Sequence, residues 1–381
     1  MKVLYIIDTI NSSGAERSLT QIAINLKKVK PVFVHIYKGD MLREALEKKG
    51  VKVYSLNIEK KYGFKLAESN ISKIILAEKP DLIHSTLFRS DMVARRLKKK
   101  FPEIPLIGSF VNNSYTPLRY KNQNLLMKLK LWIAYQMDKK SSKLVDFYIS
   151  NSETIRREEG NALDVEQEKI KVIPRGRDIR KYENLDPVRL QKIKKELGLD
   201  NKQVLLNVSR LIPRKAQLDL IRAMPEVLDT FPNSILLIAG HGVCENQLKW
   251  EISKLSLEEN VKLLGRRLDI PYLLEICDLF LYPSYAEGLP GALIEAMMSG
   301  KTIICSDIGE NLECVNEESA IIFKKGNINE LQEKMKMVLA DGPEFKYMGE
   351  NARRQAYRKF DIAMVVNQYE EFYETVMNKS K

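Results

Sequence analysis

The chain alternates short apolar runs with helix-length amphipathic segments, first over residues 3–173 and again over residues 203–323. This alternation predicts an α/β protein with mostly parallel sheets and helices on both faces. A length of 381 residues suggests two domains, or one large domain. The predicted strands are Val3–Ile7, Val32–Tyr37, Val51–Leu56, Leu82–His84, Leu106–Val111, Leu144–Ile149, Ile170–Ile173, Gln203–Val208, Ile235–Ala239, Val261–Leu264, Leu279–Tyr282, Thr302–Cys305 and Ala320–Phe323.

The segment Tyr282–Gly300, YPSYAEGLPGALIEAMMSG, predicts the end of a strand, a loop and then a helix. Pro290 stands where a first-turn proline belongs, and Gly300 stands where a glycine cap ends a helix. The free N–H groups and the positive dipole end at such a helix start attract phosphate. Two carboxylates, Glu287 and Glu295, frame this anion site, and hydroxyl groups of a sugar or ribose would bind them.

The spacing of Glu287 and Glu295, in the context EG-L-P-x-x-x-x-E-A-M-x-x-G, resembles the signature of retaining glycosyltransferases of family 4. A Glu–x7–Glu pair alone is common in helices, and the alternative is an exposed glutamate beside a tight loop. The resemblance implies the GT-B fold, in which two doubly wound Rossmann-like domains face each other across a cleft. It also implies a C-terminal helix that crosses back to the first domain. The expected acceptor-side domain is 1–178 plus the helix 364–381, and the expected sugar-nucleotide domain is 179–363.

Other stretches of the second half agree with this resemblance. Arg210 and Lys215 are similar to the family's R-x4-K pair, which clamps the diphosphate of a sugar nucleotide. A guanidinium fork and a lysine charge converging on one diphosphate stabilise it as a leaving group. The resemblance implies that Arg210, Lys215 and Glu287 are catalytic, that Glu287 holds sugar hydroxyls and that Glu295 holds the ribose. The implied donor-binding residues are Gly14, Arg210, Lys215, Gly240, Gly265, Arg266, Glu287, Gly288, Leu289, Pro290, Gly291 and Glu295.

Three loops of the first half follow predicted strands, where ligands bind in doubly wound sheets. GAER resembles the family's first-loop signature, which usually has two glycines; here Ser13 stands at the first of them. Many relatives carry a histidine after the fifth strand, where this chain has Val111 and Asn112. A hydrogen-bonded histidine that only supports a loop is the alternative for His84. The acceptor-side candidates are His84, Ser109, Asn112 and Asn113.

The segment VIPRGRD, residues 172–178, resembles the family's passage between domains, usually V-I-P-N-G-V-D. Arg175 and Arg177 replace the usual small or apolar residues. These two cations either meet an acidic donor or acceptor, or are solvated, and we favour solvation.

The net charge of +12 points to an anionic partner. Residues 119–143 carry seven Lys or Arg against the single acid Asp138, with Leu, Trp, Ile and Met at helical spacing. A basic amphipathic helix of this kind can lie on an anionic membrane, and RRLKKK at 95–100 adds charge in the same domain. The alternative is a helix that packs its apolar stripe on its own domain. No nucleic-acid-binding motif is present, so we expect no nucleic-acid partner.

Three histidines and four cysteines without Cys-x-x-Cys spacing leave little for a metal site, and we expect neither metal nor cofactor. The cysteines are expected to be buried and reduced. The N-terminal apolar run is too short for a signal peptide, and no run of about 18 apolar residues predicts a membrane span. We therefore expect a cytoplasmic protein that binds peripherally at the inner face of the plasma membrane.

The sequence predicts a metal-independent retaining glycosyltransferase whose partners are a nucleotide-sugar donor, UDP-sugar favoured, and a glycan or lipid-linked acceptor of bacterial-type surface polysaccharide or lipopolysaccharide synthesis. No side chain is an obvious general base, so the donor's own phosphate oxygen would take the acceptor proton. The alternatives are a sugar-nucleotide 2-epimerase, which shares the two-domain architecture, and a catalytically silent sugar-nucleotide-binding or scaffold protein.

Overall fold

A computed structural model describes residues 1–11, 13–60, 62–115, 120 and 123–379. The predicted first-loop residue Ser12, and Arg119 and Lys121 of the predicted basic segment, lie outside these ranges. The chain divides into two compact units. The first is Met1–Gly176 together with the chain from Ile362 onwards, and the second is Arg177–Asp361.

The described part of the first unit contains a parallel sheet of seven strands in the order β3-β2-β1-β4-β5-β6-β7. The strands are β1 Lys2–Ile7, β2 Lys30–His35, β3 Lys52–Ser55, β4 Leu82–Thr86, β5 Leu106–Phe110, β6 Phe147–Ser150 and β7 Ile170–Val172. The helices between them are α1 Gly14–Asn25, α2 Arg43–Glu47, α3 Phe64–Glu78, α4 Phe88–Lys100, α5 Leu125–Ser142 and α6 Glu153–Leu163.

The second unit repeats this plan with six parallel strands in the order β10-β9-β8-β11-β12-β13. The strands are β8 Gln203–Val208, β9 Ser234–Ala239, β10 Val261–Gly265, β11 Leu279–Tyr282, β12 Thr302–Ser306 and β13 Ile321–Phe323. The helices are α7 Pro187–Leu197, α8 Gln217–Thr230, α9 Glu245–Lys254, α10 Ile270–Ile276, α11 Gly291–Met298, α12 Gly309–Leu312, α13 Ile328–Ala340 and α14 Lys346–Phe360.

Both sheets confirm the predicted α/β class, and each of the predicted strands is present with small shifts at its ends. The largest shift is at β6, which the sequence predicted from Leu144. The N–H groups of Leu144 and Val145 bond the carbonyls of Ser141 and Ser142 at 3.0 Å each. These bonds close the end of α5, so the extended strand begins only at Phe147.

Strand order reverses once in each sheet, between β1 and β4 in the first and between β8 and β11 in the second. Ligands of open parallel sheets bind outside the carboxyl ends of the strands at such a reversal. Each sheet is packed on both faces, and Val3 to Ile7 of β1 have no exposed surface. The residues free to bind a ligand are therefore in the loops that follow these strands.

The C-terminal helix, α15 Ile362–Lys379, packs within the first unit. Its apolar face, including Val365, Val366 and Tyr373, joins the core beside β1. Its buried Glu370 accepts the backbone N–H groups of Lys27 and Lys28 at 2.6 Å each, just beyond the end of α1. One carboxylate therefore links the last helix to the first.

The four cysteines are all buried, and none forms a disulfide. Burial raises the pKa of the Cys277 and Cys305 thiols to about 12, so both stay protonated at neutral pH. None of the described helices has the length and apolar character of a membrane span.

Substituting Glu370 by Ala tests the link between α15 and α1. Two buried N–H groups lose a charged acceptor, so the free energy of unfolding of the first unit should fall by about 2 kcal/mol. Urea unfolding followed by circular dichroism measures the change. The neighbouring Glu371→Ala is the matched control, since Glu371 is exposed and its loss should change stability by less than about 0.5 kcal/mol. Equal effects of the two variants would contradict the assignment.

Candidate active site

The reversal between β8 and β11 brings two loops of the second unit together. The loop after β8 carries Arg210 and continues into a short 3-10 turn, Pro213–Lys215. The loop after β11 carries Glu287 and leads into α11. The two loops are joined directly, because the N–H of Tyr285 donates to the carbonyl of Arg214 at 2.8 Å.

Glu287 is the buried centre of these loops, with 5% of its surface exposed. Its Oε1 accepts hydrogen bonds from the Lys215 ammonium and, at 2.8 Å, from the Tyr282 hydroxyl. Lys215 Nζ also donates to the Tyr282 hydroxyl at 3.0 Å. Arg214 Nη1 lies 3.5 Å from Glu287 Oε2. The backbone N–H of Glu287 donates to the carboxylate of buried Glu310 at 3.2 Å. Glu287 is thus held by charges on two sides and by its own backbone.

Burial and the neighbouring charges shift the pKa values of this cluster. Burial by itself raises the pKa of Glu287, but Lys215 and Arg214 hold it below its usual range. Burial lowers the pKa of Lys215 to about 8; Glu287 opposes this shift and Arg214 adds to it. The pKa of Arg210 is lowered as well, by partial desolvation and then by Arg214, although the residue as a whole is exposed. Burial therefore disfavours the charged form of both side chains, and the like charge of Arg214 adds a smaller repulsion that a bound anion would relieve.

Close backbone contacts fix the position of Arg210. A Cβ on Gly240 would lie 1.8 Å from the carbonyl oxygen of Ser209, and one on Gly242 would lie 2.3 Å from that of Leu211. Glycine is required at both positions because backbone cannot yield to a side chain. The N–H of Leu211 donates to the carbonyl of His241 at 3.0 Å, so the loops after β8 and β9 run in contact.

Gly265 and Arg266 lie at the end of β10, next to this loop pair. Gly265 has a φ of +63°, in the left-handed region, and its carbonyl accepts the N–H of Gly240 at 2.8 Å. Arg266 is exposed, whereas Arg267 pairs with Asp269 at 2.6 Å. Two of the implied donor-binding residues, Gly265 and Arg266, therefore lie beside the Gly240 turn.

The helix α11 presents its N-terminus at the same edge of the sheet. Gly288, Leu289 and Pro290 are buried, and Pro290 is the N-cap. The first N–H groups of a helix have no carbonyl partner inside it and suit an anion. At the other end, Gly300 has a φ of +64°, and its N–H and that of the next residue close the helix on Met297 and Ala296. This is the glycine cap that the sequence predicted.

Glu295 lies in α11 and pairs with Arg177, whose Nε donates to Glu295 Oε1 at 2.8 Å. Both side chains are largely buried, with 17% and 21% of their surfaces exposed. The N–H of Arg177 donates to the carbonyl of Phe360 at 2.8 Å, which holds its backbone in place. Our expectation that Arg177 is solvated is therefore wrong, because its guanidinium binds the protein's own carboxylate.

The acceptor-side candidates lie in the first unit. His84 is fully buried: its Nδ1 contacts the Tyr373 hydroxyl and its Nε2 the Ser109 hydroxyl, each at 2.7 Å. Burial lowers the pKa of His84 to about 3, so the ring is neutral. This position suits the alternative of a supporting histidine. Asn112 is exposed and Asn113 half-buried, so these amides face outward more than His84 does.

Gly14 begins α1 and is exposed. Arg175 lies against it, since a Cβ on Gly14 would be 3.0 Å from Arg175 Nη1. Arg175 also donates to the carbonyl of Val111 at 3.4 Å. A cation thus lies between the loops that follow β1 and β5.

The structure brings together the predicted residues of the loops after β8, β9, β10 and β11. Glu295 instead pairs with Arg177, which is not part of those loops. Sequence reasoning missed Arg214, Tyr282 and Glu310 as members of the cluster. Arg214 stands inside the R-x4-K motif, so its position beside Lys215 was a usable signal. Tyr282 and Glu310 gave no such signal, because their roles depend on partners distant in sequence. Among the described residues, no three His, Cys, Asp or Glu side chains are grouped as metal ligands.

Two protein-family models match the chain. The family described as Glycosyl transferases group 1 matches residues 190–355, and Glycosyltransferase Family 4 matches residues 12–181. The two matches divide near the boundary between the compact units.

Two curated relatives match across most of the chain. One is the UDP-Gal:alpha-D-GlcNAc-diphosphoundecaprenol alpha-1,3-galactosyltransferase of Escherichia coli, 27% identical over 81% of this chain and 79% of that protein. The other is the N,N'-diacetylbacillosaminyl-diphospho-undecaprenol alpha-1,3-N-acetylgalactosaminyltransferase of Campylobacter jejuni, 26% identical over 81% of this chain and 80% of that protein.

Anabaena HepE in complex with UDP-glucose is a similar solved structure, with a TM-score of 0.84 at 24% identity. The match covers 98% of this chain and 100% of that one. WaaG, a glycosyltransferase involved in lipopolysaccharide biosynthesis, matches with a TM-score of 0.77 at 16% identity over 97% of this chain and 99% of that one. These structures show that the fold is of the GT-B type, with two parallel-sheet Rossmann-like domains.

The lowered pKa of Lys215 predicts how binding of a nucleoside diphosphate depends on pH. If the ammonium of Lys215 binds the diphosphate, as the family resemblance implies, affinity should be full below the pKa of about 8 and should weaken as the pH rises through it. For UDP we expect a fall that approaches about tenfold per pH unit above that value. Isothermal titration calorimetry between pH 7 and 9.5 measures the profile.

Lys215→Arg is the matched control, because a guanidinium stays charged throughout this range. Its affinity for UDP should be nearly constant with pH. A flat profile in the wild-type protein would contradict the assignment of Lys215 to the diphosphate.

Proposed function

The chain belongs to glycosyltransferase family 4, and on that premise we propose that it is a retaining enzyme that transfers a sugar from a nucleotide-sugar donor. The favoured donor is a UDP-sugar. The acceptor is a hydroxyl of a glycan or lipid-linked molecule in bacterial-type surface polysaccharide or lipopolysaccharide synthesis.

The observation that carries the proposal is the convergence of Lys215 and Arg214 on the buried Glu287, with Arg210 exposed at the start of the same loop. A buried pair of charges costs desolvation energy and is weak evidence for a stabilising role. An excess of cations at the point where the strand order reverses is explained if this site binds an anion with more than one charge. The diphosphate of a sugar nucleotide matches that requirement.

In the proposed reaction the bond between the sugar's anomeric carbon and the diphosphate breaks, and a bond to the acceptor oxygen forms on the same face. Arg210 and Lys215 neutralise the charge that develops on the leaving diphosphate, with help from N–H groups near Leu289–Gly291. Glu287 holds sugar hydroxyls, and Glu295 holds the ribose. The acceptor's proton passes to the departing phosphate oxygen.

We propose that no divalent metal takes part. A metal would neutralise the leaving group by the same electrostatic means as the cations already present. The two arginines of the cluster stay charged at neutral pH, and Lys215 is largely charged there because its pKa of about 8 lies above it.

Two similarities support the donor and acceptor classes. HepE is a structural neighbour that binds UDP-glucose, and the E. coli relative uses UDP-Gal. The E. coli and C. jejuni relatives both act on diphosphoundecaprenol-linked sugars. In this chain Arg175, beside the N-terminus of α1, suits the phosphate groups of such an acceptor.

A lipid-linked acceptor requires access to a membrane surface, and α5 is suited to that contact. Only Asp138 and Ser142 of this helix are buried. Asp138 ties its C-terminal half to the domain through Arg95 and Tyr115. Its exposed apolar side chains are Leu125, Leu126, Met127, Leu129, Trp132, Ile133 and Met137. The alternative, in which this stripe packs on its own domain, does not fit these exposed side chains, and we propose that α5 lies on an anionic membrane at the cytoplasmic face.

A panel of UDP-, GDP-, ADP- and CMP-sugars tests the donor site by thermal shift, in EDTA. A specific donor at 100 times its dissociation constant should stabilise the protein by about 2.7 kcal/mol. We expect this for the UDP-sugars, with the shift lost in Lys215→Ala and Glu295→Ala. Lys254→Ala, an exposed lysine of α9, is the control and should keep the shift.

Release of free UDP from the same donor, with and without candidate acceptors, separates an enzyme from a binding protein. Turnover with retained anomeric configuration supports the proposal, and so does its dependence on Lys215. Stabilisation by a nucleotide-sugar without any turnover would favour a silent binding protein. No shift with any nucleotide would contradict the donor site itself.

Charge reversal on α5 tests the membrane proposal. Replacing Lys128, Lys130, Lys139 and Lys140 by Glu should weaken binding to phosphatidylglycerol vesicles by more than about tenfold. Each lysine near such a surface contributes about 1 kcal/mol. Vesicle sedimentation measures the binding, and donor hydrolysis should be unchanged.

A matched variant separates a local patch from net charge. Replacing the exposed lysines Lys49, Lys195, Lys254 and Lys325 by Glu changes the net charge by the same amount at scattered positions. This control should keep most of the vesicle binding. Equal loss in both variants, or no loss in the α5 variant, would contradict a docking role for this helix.

A further inference from the structure

The ion pair between Arg177 and Glu295 has no counterpart in the pattern V-I-P-N-G-V-D that residues 172–178 resemble. Nε of Arg177 bonds Oε1 of Glu295 at 2.8 Å, in surroundings that leave about a fifth of each side chain exposed. The two residues are 118 positions apart in sequence, so only the fold joins them. An exposed pair would contribute little, whereas this one is mostly shielded from water.

Both ends of the pair are fixed by the backbone. Arg177 donates its N–H to the carbonyl of Phe360 at 2.8 Å and forms a parallel bridge with Asp361. Glu295 lies in α11, whose last turn is closed by Gly300 and by a bond from the N–H of Ser299 to the carbonyl of Glu295 at 3.1 Å. The guanidinium therefore meets a carboxylate whose backbone is held in a hydrogen-bonded helix.

A carboxylate has about four positions that accept hydrogen bonds, and Nε of Arg177 takes one of them on Oε1. The contact restricts the rotation of the Glu295 side chain before any ligand arrives. Ordering a free side chain on binding lowers affinity by several-fold, and a side chain that is already held avoids that loss.

We propose that Arg177 is a positioning residue that orients the Glu295 carboxylate toward the ribose hydroxyls of the donor nucleotide. This inference rests on the proposed function, in which Glu295 binds the ribose. Arg177 acts through Glu295 and does not touch the diphosphate. It therefore sharpens the preference for a nucleotide that carries both ribose hydroxyls, without changing the affinity for phosphate.

The test compares dissociation constants of UDP, 2′,3′-dideoxy-UDP and inorganic pyrophosphate by isothermal titration calorimetry. The wild-type protein should prefer UDP to the dideoxy compound by about tenfold or more. In Arg177→Met this preference should fall about fivefold, while the affinity for pyrophosphate stays within about twofold of the wild type. Arg177→Lys should recover part of the preference, because it restores a charge without the fixed fork.

Two further variants make the outcome specific. Arg180→Met removes a nearby arginine that pairs with Asp178 and is largely exposed, and it should keep the full preference. In a Glu295→Ala background, Arg177→Met should cause no additional loss, because the residue on which it acts is gone.

Three results would overturn the inference. An unchanged preference in Arg177→Met would show that the pair has no positioning role. An equal loss of UDP and pyrophosphate affinity would show a direct contact with the phosphates. A further loss in the Glu295→Ala background would show that Arg177 acts independently. Failure of the wild-type protein to bind UDP would instead overturn the proposed function, and this inference with it.

Discussion

The burial of the Glu287 carboxylate is the constraint on which the second domain's site depends. An ionised carboxylate removed from water must be paired, and its partners here are Lys215, Tyr282 and Arg214. These partners come from the loop after β8 and from the end of β11, whereas Glu287 lies in the loop after β11. The two loops must therefore stay in contact, and the N–H of Tyr285 on the carbonyl of Arg214 maintains that contact at the backbone. Arg210 is positioned by the same loop, through the close approach that glycine at 240 and 242 allows.

Burial of Glu287 and Lys215 costs desolvation energy, but it places charges where they can bind a ligand. The pKa of Lys215 and that of Arg210 are both lowered, chiefly by burial and in part by the like charge of Arg214. A bound diphosphate would offset this repulsion, which would favour its binding. The Arg177–Glu295 pair differs from this cluster, because its one positive and one negative charge balance each other. Its proposed role is to orient the Glu295 carboxylate.

At the point where the strand order of the first sheet reverses, the buried titratable side chain is neutral instead of charged. His84 is neutral and fully enclosed, and its ring nitrogens contact hydroxyls of Tyr373 and Ser109. Tyr373 belongs to α15, so the last helix of the chain supports the strand β4. What remains accessible near these strands is Arg175 against Gly14 and the amides of the loop after β5. The helix α5 of the same domain keeps its apolar side chains exposed.

The sequence by itself determined the α/β class, the strands of both domains and the loops that carry the family's motifs. These features are local: strand and helix periods, a proline and a glycine at the ends of α11, and motifs such as R-x4-K lie within short stretches. Only the tertiary structure decided which charges meet. Lys215 and Glu287 are 72 positions apart, Arg177 and Glu295 118, and His84 and Tyr373 289. No local pattern encodes such pairs, because burial and partner are properties of the packed chain. For that reason the sequence left Arg177 as a solvated cation and His84 as an open choice, while the fold gave each a defined partner.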